Sequence, residues 1–333
     1  MKNRHFGFLL AALFLLATLV AGCGGAQPTA SKEPAKPAEA PKTQEAAKPQ
    51  EAAKPQPKQT TYPITIKDGA GRDVTIKAEP KRIVSVAPSN TELVFALGKG
   101  SVLVGRSDFD DYPAEAAKIE SIGGFHPPNY EKIVSMKPDL ILLIGGGKEA
   151  REKLENEYKL TTFVVDPQNF EQLYSGIVAL GQVLNAQEKA EAVVADMKKE
   201  VNAIKEKAAK ATTKPVVFYE VWHDPLMTAG PNTFIDDMIK IAGGANAAGT
   251  AKDRWPQFPL EQLAAANPDI IVTGSADAAK AAAARKGWES LKAVKNGKVI
   301  GVPDQNLVVR PGPRLVQGLK WFAETIHPEI FTK

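Results

Sequence analysis

Cysteine is all but absent: the 333 residues hold one, Cys23. A single thiol closes no internal disulfide, and an unpaired one needs an explanation. Histidine is scarce too, confined to His5, His126, His223 and His327. A bare zinc or manganese site needs several histidine and carboxylate ligands converging, and there is no His-rich loop to supply them. No Gly-x-Ser-x-Gly elbow occurs. Gly145–Lys148 reads GGGK, but it lacks the spacing and the following Ser or Thr that a phosphate loop requires. With no nucleophile–base motif, these gaps count against an enzyme. An excess of one charge is missing as well. The net charge is +4; Lys2 and Arg4 supply half of it, and six lysines against four glutamates over 24–60 supply the rest. The remainder is near neutral, which argues against a nucleic-acid binder, a class that needs a basic face.

What is present begins at the N-terminus. Met1–Gly22 reads MKNRHFGFLLAALFLLATLVAG, a basic start followed by an apolar run and small residues. That is the pattern of a signal peptide. Its apolar run is short for a membrane span, which needs about 20 residues. Val20-Ala21-Gly22-Cys23 resembles the bacterial lipobox, and lipidation of Cys23 accounts for both the position and the solitude of the thiol. Residues 23–60 then hold the lipidated cysteine and a stretch of Ala, Pro, Lys, Gln and Glu, with QEAAKP at Gln44 and again at Gln50. It has no apolar set to bury and reads as a disordered, semi-stiff tether.

From residue 61 onward strands and helices alternate. Ile64 and Ile66, then Val74 and Ile76, flank the turn cluster DGAG and predict a β-hairpin. RIVSVAP predicts a strand, and SNTELVFALG a helix capped by Ser89 or Asn90. Further strands are expected at VLVGRS, TTFVVD, PVVFYEVW and GKVIGVP, with helices at NTFIDDMIKIAGG and PGPRLVQGLKWFAETI. Asn185-Ala186-Gln187-Glu188 is like a capping box, and Val193, Val194, Met197, Val201 and Ile204 recur at helical spacing after it. The expected organisation is α/β, with one lobe over 61–175, a linking helix in 176–212 and a second lobe over 213–333.

One phrase occurs twice. Tyr130–Leu143 reads YEKIVSMKPDLILL, and Leu260–Thr273 reads LEQLAAANPDIIVT. Each predicts a helix, a Pro-Asp turn and a buried strand, once per lobe. Each also carries a glutamate, Glu131 or Glu261, in the first helical turn, where the helix dipole favours a negative charge. Two like charges on two similar lobes suit a two-fold symmetric partner. Acids at helix starts are also common with no such role.

The run VGRSDFDDYPAEAAKIESIGGFHPPNYEKIVSMKPDLILL resembles the substrate-binding proteins of ABC importers for vitamin B12, ferric siderophores and haem. So do GPNTFIDDMIKIAGGAN, RWPQFPLEQLAAANPDIIV and RPGPRLVQGLKWF. The likeness spans nearly all of 61–333 and is greatest to the vitamin B12-binding members. It implies two Rossmann-like lobes joined by one long rigid helix, with the ligand cleft between them. It implies a corrinoid or ferric chelate as ligand and no resident cofactor. The implied partner is a permease dimer with its ATPase subunits, served by a monomer held outside the cytoplasm by its lipid. Glu131 and Glu261 fall on the positions that dock into the permease. Importers of bare zinc or manganese, and lipid-anchored α/β enzymes, are the alternatives.

A large planar ligand needs aromatic faces and a few placed polar groups. Loops in register with the family's cleft offer Phe109, Tyr112, Phe125, His126, Trp222, His223, Arg254, Trp255, Asn306 and Arg310. Phe125 stands where the B12-binding members have tryptophan, and Phe109 where they have tyrosine. Trp255 and Arg310 match directly. Trp222 and His223 fall where those members have small or aliphatic residues, and Asn306 near an acid. His126 and His223 are candidate ligands to haem iron or cobalt; Arg106, Arg254 and Arg310 are candidate partners for an anionic siderophore.

Overall fold

A computed structural model describes residues 58–124 and 127–332. The signal peptide, Cys23, nearly all of the tether, Phe125 and His126 lie outside the described residues. The N-terminal lobe runs β1 (Ile64–Lys67), β2 (Asp73–Ile76), β3 (Ile83–Ser85), α1 (Pro88–Ala96), β4 (Leu103–Gly105), α2 (Tyr130–Ser135), β5 (Leu140–Leu143), α3 (Lys148–Asn156) and β6 (Thr162–Val164). Next come α4 (Phe170–Val183) and α5 (Gln187–Ala208). The C-terminal lobe runs β7 (Val216–His223), β8 (Leu226–Thr228), α6 (Phe234–Ile241), β9 (Ala245–Asn246), α7 (Leu260–Ala266), β10 (Ile270–Thr273), α8 (Ala276–Ala283), α9 (Lys292–Lys295), β11 (Val299–Gly301), α10 (Asn306–Val309), α11 (Leu315–Ile326) and α12 (Pro328–Phe331).

Each lobe is built on a parallel sheet. The order is β4-β3-β5-β6 in the first lobe and β11-β10-β7 in the second, where β9 pairs parallel to β7 and β8 antiparallel to it. β1 and β2 form the expected hairpin, with Ile64 opposite Ile76. The doubled phrase is one structural unit used twice. Lys137 and Asn267, each just before its proline, take φ of 49° and 38° and turn the chain from helix to strand. The aspartate that follows holds the neighbouring strand's entry. Asp139 accepts the backbone N–H of Lys81 at 2.8 Å and of Arg82 at 3.1 Å, and Asp269 accepts that of Val216 at 2.7 Å.

α5 is the expected long helix, 22 residues or about 33 Å. Ala190, Val194, Met197, Val201, Ile204 and Ala208 form its buried stripe. An apolar cluster runs through this stripe, taking in Leu93 and Leu180 on one side and Val217, Ile239 and Phe322 on the other. The interval 176–212 therefore holds the end of α4 and all of α5.

Two expected helix caps are not made. Pro88, whose ring pre-sets a helical φ, starts α1, so the N-cap is Ala87 and both Ser89 and Asn90 fall inside the helix. Asn185 does not cap α5. It sits at φ 51° just past α4, where Ala186 N–H reaches Gly181 O and Asn185 N–H reaches Gln182 O, a Schellman ending. Its side chain instead accepts Thr60 N–H at 2.9 Å, holding the start of the described chain onto the α4–α5 junction.

Candidate functional site

In open α/β sheets ligands bind beyond the carboxyl ends of parallel strands. Four described loops leave those ends: after β4, β7, β9 and β11. The loop after β4 carries Phe109 and Tyr112 and the loop after β9 carries Arg254 and Trp255; Trp222 and His223, expected on a loop, are the last two residues of β7 itself, paired with β8, and Asn306 opens α10 with Arg310 just past its end. Water exposure separates these residues from the core. Phe109 is 54% exposed, Tyr112 45%, Trp222 56% and Trp255 44%, and with Val309 they are the exposed large apolar side chains among the described residues. A lone exposed apolar residue is ordinary, whereas a set of them at the carboxyl edges of two sheets makes that edge the candidate binding surface.

The first group is braced from below. Asp110 is buried and takes hydrogen bonds from the hydroxyls of Thr91 and Ser107, which tie the loop after β4 to α1. Burial pushes the Asp110 carboxyl above the usual range, against those bonds. Asp108 N–H donates to Gly123 O at 2.9 Å and thereby fixes the neighbouring segment that leads toward Phe125 and His126. Arg106 is absorbed locally, donating to the carbonyls of Ser107 at 2.6 Å and Ala117 at 3.3 Å.

The second group lies on an extension of the C-terminal sheet. Trp222 is opposite Met227, and Met227 bridges to Gln257. Phe258 N–H donates to Leu226 O at 2.8 Å and Gly230 N–H to Arg254 O at 2.8 Å, so the loop bearing Arg254 and Trp255 is zipped along β8. Trp222 donates its indole N–H to Asp224 O at 2.8 Å, and its ring lies 5.4 Å from that of the exposed His223. Arg254 spends its Nε on Asn232 O at 3.1 Å. Asn306 opens α10, its N–H on Asp304 Oδ1 at 2.9 Å.

Arg310 crosses to the other lobe. It donates to the Phe109 carbonyl at 3.1 Å, to Glu92 at 3.3 Å and to Asp111. Arg310 holds the Asp111 carboxyl below its usual range. Arg314 joins it with a two-pronged bond to Glu92, Nε at 2.9 Å and Nη2 at 2.6 Å, and its guanidinium stacks 3.9 Å from the Tyr112 ring centre. Glu92, Asp111 and Arg314 were not anticipated from sequence. Glu92 lies in a helix that otherwise reads as core, and the only pointer was an acid in an apolar segment.

Glu131 and Glu261 are exposed in the first turns of α2 and α7. Asn129 caps α2, accepting Lys132 N–H at 3.0 Å. Among the described residues neither glutamate has a hydrogen-bond or ion-pair partner. No three His, Cys, Asp or Glu side chains among the described residues group as a metal site, and no described helix is long and apolar enough to cross a membrane.

Comparison with known proteins gives the following likenesses. A profile described as "Periplasmic binding protein" matches residues 83–306. An uncharacterized ABC transporter substrate-binding lipoprotein of Bacillus subtilis is 38% identical over 338 residues, 99% of this chain and 99% of that one. The vitamin B12-binding protein of Photorhabdus laumondii is 30% identical over 262 residues, 76% of this chain and 90% of that one. Among solved structures, a possible iron-binding (periplasmic solute-binding) protein from Staphylococcus epidermidis superposes with TM-score 0.67 at 31% identity, covering 75% of this chain and 100% of that one.

Proposed function

The chain belongs to the periplasmic binding protein family, and from that premise we propose that it is the lipid-anchored, extracytoplasmic substrate-binding component of an ABC importer. Its cargo in this reading is a bulky metal chelate: cobalamin, haem or a ferric siderophore. The observation that carries the cargo class is the set of exposed aromatic side chains at the carboxyl ends of both sheets. A planar macrocycle or aryl chelate offers flat faces that such rings cover, and the polar groups beside them fix its orientation. Bare ions would be held by converging oxygen, nitrogen or sulfur ligands instead. Trp222, exposed at the end of β7, and Arg310 are the residues expected to shape choice within the class.

Glu131 and Glu261 are the proposed docking points for the permease dimer. Both project freely from equivalent helix starts, as a two-fold partner with paired cationic sites requires. Cys23 is the proposed lipid attachment, which leaves the chain without a free thiol.

Titration with cobalamin, haemin and ferric siderophores, followed by tryptophan fluorescence, tests the cargo class. One of them should quench Trp222 and Trp255, leaving the emission of buried Trp288 largely unchanged. Trp222→Ala together with Trp255→Ala should remove that response and weaken binding by about 30-fold, the loss expected for anchoring aromatics. Absence of quenching by all three ligands would sink the cargo class.

A further inference from the structure

α5 and its apolar cluster join the lobes at one place, and a charge cluster with members from both lobes joins them at another. The N-terminal lobe contributes Glu92 from α1, and Asp111 and the Phe109 carbonyl from the loop after β4. The C-terminal lobe contributes Arg310 and Arg314, which flank Pro311-Gly312-Pro313. Proline locks φ, so the two guanidinium groups are presented from a stiff turn. The centre is dry: the Glu92 side chain is 2% exposed, Arg310 12% and Arg314 14%. Asp111, at 64%, is the wet rim of the cluster.

A carboxylate this buried stays in place only while its charge is paired and its oxygens are hydrogen-bonded. Both oxygens of Glu92 are taken by arginines of the other lobe: Oε2 by Arg314, and Oε1 by Arg314 and Arg310. Arg310 in turn holds the loop that carries Phe109 and Tyr112.

We infer that Glu92 is an interlobe positioning residue: through Arg310 and Arg314 it clasps the 306–314 segment of one lobe onto the 107–112 loop of the other, and so sets the mouth of the cleft before any ligand arrives. Ordering these two segments in advance removes part of the entropy that a ligand would otherwise have to overcome. The inference does not depend on which cargo the cleft takes.

Hydrogen exchange of the ligand-free full chain, read by mass spectrometry, tests it. Glu92→Gln changes one lobe, yet should speed exchange in 304–316 of the other by about tenfold or more, since a charged buried contact is lost. Arg314→Gln should do the reverse, speeding exchange in 105–113. Glu92→Asp, which keeps the charge on a shorter arm, should fall between Glu92→Gln and the parent chain. A role confined to local packing would leave the opposite lobe unchanged, and that result overturns the inference. If burial of the altered Glu92 prevents folding, Asp111→Asn remains decisive, because its side chain is mostly in water. It should raise exchange at 306–312 about threefold, as for a weak, partly screened pair, and no change there counts against the clasp.

Discussion

The two lobes share a frame and differ at their upper edges. In both, a short helix runs through a left-handed residue and a proline into an aspartate, and that aspartate holds the entry to the adjacent strand. In both, a glutamate stands free in the first turn of that helix. The edges are unlike. The N-terminal sheet ends in loops, whereas β7 of the C-terminal sheet runs on into a hairpin with β8 that lifts Trp222 and His223 into water. What is duplicated is scaffold and the proposed docking acid; what is single-copy is the proposed ligand surface. A symmetric partner needs equivalent groups on both lobes, while an asymmetric cargo needs different ones.

The sharpest way to break that division is to reverse both duplicated charges. Glu131→Arg with Glu261→Arg should reduce cargo uptake by vesicles carrying the permease to background. Affinity for the cargo in solution should stay within about twofold, because exposed groups outside the cleft contribute little to it. Each single reversal should cost a similar, intermediate share, as two-fold equivalence demands. Uptake that survives the double reversal would remove the docking role. A marked drop in cargo affinity would instead put these acids in the binding surface.

Most of the frame could be read from the residues, because its signals are local. Alternating Ile64, Ile66, Val74 and Ile76 indicate a hairpin, and the stripe from Val194 to Ile204 a helix. The exposure of the candidate aromatics could be anticipated where they lie in polar, proline-containing loops, as Phe109, Tyr112 and Trp255 do; Trp222 is exposed instead from the end of β7, where the strand runs out into its hairpin with β8. Two helix starts depart from their local pattern for a physical reason: Pro88 takes the first helical position ahead of Ser89, and Asn185 is drawn into the left-handed exit of α4 before it can start α5. The clasp was illegible. Glu92 and Arg314 are 222 positions apart, and neither has a local pattern that announces the other. By its sequence context Arg310 reads as a partner for an anionic ligand; in the fold its guanidinium meets anions of its own chain.

A finer test compares the two scaffold aspartates. Asp139 accepts two backbone N–H groups, at Lys81 and Arg82; Asp269 accepts one, at Val216, and a half-exposed Lys292. Hydrogen bonds to a charged acceptor contribute roughly 1.5–3 kcal/mol each, and exposed ion pairs far less. Asp139→Ala should therefore destabilise the chain by about 3 kcal/mol and Asp269→Ala by about 2 kcal/mol, measured by urea unfolding. Equal losses would mean that the repeated aspartate acts through the turn it shares with proline, not through the strand entry it holds.

The smallest expected effect separates the lobes by acid. Glu79, on the approach to β3, is lowered from 4.5 to about 2, first by its bond to Lys81 and, against the opposing cost of burial, by Lys99 and Asn185. A depressed carboxylate contributes stability above its unfolded value and loses it as pH falls through the folded one. The contribution of Glu79 is thus full above about pH 4.5 and lost by about pH 2. Lys81 is two-thirds exposed, so water screens that bond and the contribution is held to roughly 1 kcal/mol. Glu79→Gln should lower stability at neutral pH by about that much and flatten part of the acid limb. Some limb should remain, because Asp111, lowered by Arg310, titrates in the same direction. Glu79 joins the approach to β3 and the α4–α5 junction, so the change should appear first as faster exchange around 77–82 and 182–187, with β7 and β10 unaffected. Loosening of the C-terminal sheet at the same pH would show instead that acid opens both lobes as one cooperative unit.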